Sequence, residues 1–128
     1  MKRLLVILFI TCMIIFSVSS ANAGSKTLTF AWEQVLPSPN NLVGWKLYIA
    51  NTAGGTATLL ATIPFVSVAA SYTTTQTITV PDGVITTRYF KILAYNSTGL
   101  ESDFSNEIST TINLTVPGIP TNLRITIN

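Results

Sequence analysis

The sequence predicts an all-β fold, an antiparallel β-sandwich of about seven strands. Three observations carry this. Apolar and polar residues alternate with period two almost throughout the chain beyond residue 23. Turn-forming residues recur every 8–12 positions, as the short strands of a sandwich require. No window beyond residue 23 has the 3.6-residue periodicity of an amphipathic helix.

The first strand expected is Thr27–Trp32, with Leu28, Phe30 and Trp32 on one face. Pro37, Ser38, Pro39, Asn40 and Asn41 then supply a turn-rich loop. Gly44 opens the next strand, with Trp45, Leu47 and Ile49 on one side and Lys46 and Tyr48 on the other. Gly54-Gly55 marks another loop. Thr58–Ile63 is a strand that Pro64 stops, and Phe65–Ala70 reads as a loop or an edge strand. Thr75–Val80 alternates with Ile78 and Val80 inward. Pro81-Asp82-Gly83 is a turn, because proline presets φ and glycine tolerates positive φ.

Arg88–Tyr95 is the strongest strand, with Phe90, Ile92 and Ala94 opposite Tyr89, Lys91, Leu93 and Tyr95. Asn96–Gly99 turns the chain, and Phe104–Ile112 returns as a Ser/Thr-rich strand. Pro117-Gly118-Ile119-Pro120 ends that strand. The last segment alternates once more, with Leu123, Ile125 and Ile127 on one side.

The N-terminus is of a different kind. Lys2 and Arg3 precede an apolar run from Leu4 to Val18, and Ala21-Asn22-Ala23 follows. This is the three-part pattern of a secretory signal peptide, with cleavage expected after Ala23. The run is short for a membrane span, so no membrane association is expected once it is removed. Thr11 before Cys12, within the apolar run, does not fit a lipoprotein signal. The expected organisation is therefore a leader over 1–23, one sandwich over 24–116, and a C-terminal strand or tail over 117–128. The product is exported, whether to periplasm, cell surface or medium.

Without Lys2 and Arg3, five basic residues face five acidic ones, so the net charge of +2 for the whole chain belongs to the leader. That balance gives no footprint for nucleic acid. Beyond the leader there is no cysteine, and the chain has no histidine. The common nucleophile–base pairs and zinc sites are thereby excluded, and no cofactor or enzymatic activity is expected. Glu101, Asp103 and Glu107 share one face of a strand but read as a solvated rim, because a calcium loop wants closer carboxylates.

Three stretches resemble the fibronectin type III domain, an immunoglobulin-like sandwich. They are Gly44-Trp45-Lys46-Leu47-Tyr48, Tyr89 through Asn96, and Gly99-Leu100-Glu101-Ser102-Asp103-Phe104-Ser105-Asn106-Glu107. The last is similar to the bacterial version of the domain. The resemblance covers about Thr27–Ile112. It implies that Trp32 is the core tryptophan of the second family strand and that the first family strand is missing. It also departs from the family at Arg88, where a corner tyrosine is usual. Pro117 through Ile125 resembles the first strand of a following domain.

The function class this implies is an exported, non-catalytic interaction or structural module with a protein partner. Three sets of residues are candidates for contact. The turn Asn96, Ser97, Thr98, Gly99, Leu100 and Glu101 corresponds to a loop that many sandwich modules use for partners. Leu123, Ile125 and Ile127 would suit donation of a strand, in cis to the same sandwich or in trans to another copy, making a self-assembling subunit. Tyr48, Tyr89 and Tyr95, on the face away from the core, would suit stacking on sugar rings, as in a carbohydrate-binding accessory domain, or ordinary cross-strand pairing. Asn96-Ser97-Thr98 and Asn113-Leu114-Thr115 match the N-glycosylation pattern by chance.

Overall fold

The computed structural model describes residues 23–35 and 41–127. The expected leader, apart from Ala23, lies outside the described residues, as do Pro37, Ser38, Pro39 and Asn40. The described residues form six strands and no helix. They are β1 (Ala23–Trp32), β2 (Leu42–Ala50), β3 (Thr58–Pro64), β4 (Tyr72–Pro81), β5 (Ile85–Asn96) and β6 (Ile108–Asn113).

Every pairing is antiparallel. β1 and β4 form a two-stranded sheet, and the second sheet runs β3-β2-β5-β6. Apolar residues at alternate positions face inward from both sheets. Phe30 of β1 and Ile78 and Val80 of β4 meet Leu47 of β2, Phe90 of β5 and Ile112 of β6 in one buried cluster. The fold is a β-sandwich, as the alternation requires, with six strands in place of about seven. Phe30 and Phe90 bridge the two layers edge to face, with ring centroids 4.8 Å apart.

β1 starts earlier than its alternation suggests. Ala23, Gly24 and Ser25 have weak strand propensity, yet they pair with Pro81, Val80 and Thr79. Backbone pairing with a long partner overrides local preference here. On the solvent face, Thr27 and Thr29 meet Thr77 and Thr75 of β4, with Oγ atoms 3.4 and 3.3 Å apart.

One end of the sandwich is closed by an aromatic cluster. Trp45 packs against Trp32, Tyr72 and Phe65, with centroid separations of 5.2, 4.5 and 5.9 Å. Its indole Nε1–H donates to Gln34 Oε1 at 3.1 Å. Phe65–Ala70 forms no strand. It is a loop that folds Phe65 over Trp45.

Two expectations need correction. The return strand expected from Phe104 begins only at Ile108. The C-terminal segment forms no strand, and residues 114–127 have no regular structure. Leu123, Ile125 and Ile127 are 100%, 91% and 91% exposed. The tail therefore adds no strand to either sheet.

Candidate functional site

The candidate site is the seam between the two sheets. β4 occupies one edge of β1, and the other edge has no partner among the described residues. β6 is the last strand of the opposite sheet. Between them lies a groove of about 410 Å³, whose lining includes Phe30, Trp32, Gln34, Phe90, Asn106 and Ile108.

Ile108 defines this opening. It sits directly opposite Phe90 in the β5–β6 register, and cross-strand partners point to the same face. Phe90 is 2% exposed, whereas Ile108 is 51% exposed. The same face of one sheet is covered at one strand and open at the next. Trp32 also lines the groove. Its indole Nε1 is buried and has no acceptor among the described residues. A buried donor without an acceptor costs about 1–3 kcal/mol.

The far wall of the groove is built by two serines that alternation alone does not identify. Ser102 N–H donates to Ala94 O at 2.9 Å, while Ala94 N–H donates to Ser102 Oγ at 2.9 Å. Ser105 repeats this on Ile92, at 2.8 and 3.1 Å. Each hydroxyl takes the place of a ladder carbonyl. Three residues of the return segment thus match two of β5, which is why 102–107 is not a regular strand. The segment flanks Leu93, which is 5% exposed although it faces away from the core. Replacing both serines together (Ser102→Ala with Ser105→Ala) is expected to cost about 1–2 kcal/mol, because water reaches this edge and replaces part of each bond. Chemical denaturation measures the loss, and faster exchange of the Ile92 and Ala94 amides locates it.

The turn 96–101 is rigid through its own asparagine. Asn96 Oδ1 accepts from Thr98 N, Thr98 Oγ1 and Leu100 N at 3.1, 2.8 and 2.9 Å. Asn113 Oδ1 accepts likewise from Thr115 N and Oγ1. Both Asn-x-Thr triplets are Asx turns, which gives them a local structural role. Ser97, Thr98, Gly99, Leu100 and Glu101 are exposed.

Tyr48, Tyr89 and Tyr95 fall on one outer face, set by the β2–β5 register. They do not form a bare row. Lys46 lies over the Tyr95 ring at 5.2 Å, and Phe104 meets Tyr48 edge to face at 5.2 Å. Lys91 sits 4.2 Å from the Phe104 centroid. Lys46 also pairs with Glu101. The Glu101 hydrogen bond raises the Lys46 ammonium above the ordinary lysine value. That contribution is present below the ordinary lysine pKa and is lost as pH rises through the raised one. It is small, because the pair is exposed.

Two of the three carboxylates of the return segment have separate partners. Glu101 binds Lys46, and both oxygens of Glu107 accept from the Gly54 N–H, at 3.0 and 3.3 Å. Among the described residues, no group of three or more His, Cys, Asp and Glu converges.

No protein-family model matches this chain, and no curated protein matches it. Function is therefore argued from the seam itself.

Proposed function

We propose that this chain is an exported, non-catalytic interaction module that works by accepting an extended strand along the open edge of β1. The observation that carries this reading is Ile108, a core-facing residue left half uncovered beside a free strand edge. An unpaired edge offers backbone donors and acceptors, and the groove beside it offers pockets for alternate side chains. Export is inferred from the basic, apolar and small-residue order of positions 2–23. The fibronectin type III resemblance agrees with this reading, since the strand it lacks is one that would lie at this edge. The tyrosine face supports a sugar-binding reading less well, because Lys46, Lys91 and Phe104 already cover part of it.

The test uses a synthetic twelve-residue peptide with alternating aliphatic and polar residues. It is expected to bind saturably and to slow amide exchange along β1. Ile108→Glu, at an already half-exposed position, should weaken binding at least about tenfold while the protein stays folded. Tyr48→Ala should leave binding unchanged. Absence of β1 protection, or a loss confined to the Tyr48 variant, would overturn the proposal.

A further inference from the structure

The seam is an acceptor, and the chain also carries a donor. Leu123, Ile125 and Ile127 alternate in the tail and stand almost fully in solvent. Single exposed apolar residues are ordinary. Three in strict alternation, ending a segment with no other packing, are the pattern of a strand that lacks its sheet. We propose that residues 123–127 of one copy, beyond the left-handed Asn122 (φ 58°), fill the β1 edge of a second copy, joining molecules head to tail. This rests on the strand-accepting reading of the seam and names its occupant.

Four observations favour this donor. The first is that the tail does not enter its own groove, as its exposure records. The second is the linker. Pro117 and Pro120 restrict φ, so the linker is a stiff spacer ahead of the tail. The third is the requirement of the groove. Ile108 stands half exposed on the core-facing side of β6, and Leu123, Ile125 and Ile127 are alternate apolar side chains that would cover it.

The fourth is charge. Glu33 lines the groove and Arg124 is the tail's charged side chain. Neither has an ion-pair partner among the described residues. Glu33 directly follows the last residue of β1, at the rim of the groove. Counting from Leu123, Arg124 falls on the outer face of the donated strand. A tail laid along the β1 edge would bring its one positive charge near this exposed carboxylate, so the two can pair.

Because donor and acceptor are different surfaces, the contact does not close on itself. It builds an open chain of subunits unless the rotation between neighbours makes a ring.

The full chain would be exported by a bacterial host, in a Cys12→Ser background so that no native thiol competes. Ala31→Cys on the outer face of β1 and Thr126→Cys on the tail would be combined in one molecule. A short bifunctional thiol reagent then bridges them across adjacent strands and tolerates a two-residue uncertainty of register. The expected product is a ladder of dimers, trimers and longer species. Light scattering on the unsubstituted chain should show mass rising with concentration. Replacing Leu123, Ile125 and Ile127 together with serine should abolish the ladder and weaken association at least about a hundredfold. A bridged monomer would mean that the strand closes its own sandwich, and would overturn the proposal. Absence of any bridge would overturn it as well. In that second case, continued protection of β1 by the synthetic peptide would show that the seam accepts strands from another donor. Loss of that protection too would remove the seam reading itself.

Discussion

Phe90→Ala is expected to destabilise the protein by about 3–5 kcal/mol, whereas Ile108→Ala should cost less than about 1 kcal/mol. The two residues face each other across β5 and β6 and point to the same side of the sheet. On sequence alone they would be rated alike, as apolar residues of neighbouring strands. Their surroundings differ. Phe90 is enclosed, and its ring meets Phe30 edge to face. Truncation there removes a large apolar surface and leaves a cavity between the layers. Ile108 already spends half its surface in water, so its loss opens no cavity. A domain of this size has about 5–15 kcal/mol to lose, so Phe90→Ala leaves it marginal at room temperature. Denaturant titration of both variants gives the two numbers directly. Equal, large losses would mean that Ile108 is covered in solution, and hence that the seam is filled. In a concentrated sample, a loss at Ile108 that grows with protein concentration would point to another copy as the cover.

That contrast also marks where the sequence was informative. Alternation in Thr27–Trp32, Gly44–Ile49 and Arg88–Tyr95 placed three strands and most of the core, because period two is enforced wherever one face of a strand is buried. Phe30, Leu47, Ile78, Val80 and Phe90 all lie on the expected inner faces. The return segment departs from the expected strand for a physical reason. Ser102 and Ser105 substitute hydroxyls for ladder carbonyls, so the backbone there follows a three-to-two match that no period-two template describes. Their three-residue spacing, Ser-x-x-Ser beside a strand, was the available signal. Alternation in the tail is real but does not by itself place a strand, because a strand needs a paired edge and the tail stands exposed, paired to none among the described residues. The seam was legible only as a missing element. Its residues, Ile108 and the Trp32 indole N–H, carry no sequence signature, since what distinguishes them is the lack of a neighbour.

Gly44→Ala is expected to cost about 2–3 kcal/mol, although it adds a single methyl group. Gly44 pairs with Pro64 of β3 on one side and with Tyr95 of β5 on the other, and it is buried. A Cβ at this position would run into the Ile63 carbonyl oxygen and lie 3.2 Å from Pro64 Cα. Both obstacles are backbone, so neither can rotate aside as a side chain would. Relief requires β3 to move away from β2. That movement would disturb Trp45, the next residue, and with it the aromatic cluster that ends at Phe65. The β2–β5 register shifts between Leu42 and Gly44, so the strand already bends at this point and has no slack to absorb the push. Gly54 provides the control. It has a positive φ of 63° but nothing within 4 Å of a Cβ, so its demand is conformational and not steric. Gly54→Asn, which tolerates that φ, should stay within about 0.5 kcal/mol of the parent. Thermal and denaturant midpoints of the two variants separate the causes. A small effect at Gly44 would mean that β3 is free to shift at the edge of its sheet, and the aromatic cluster would then owe little to it.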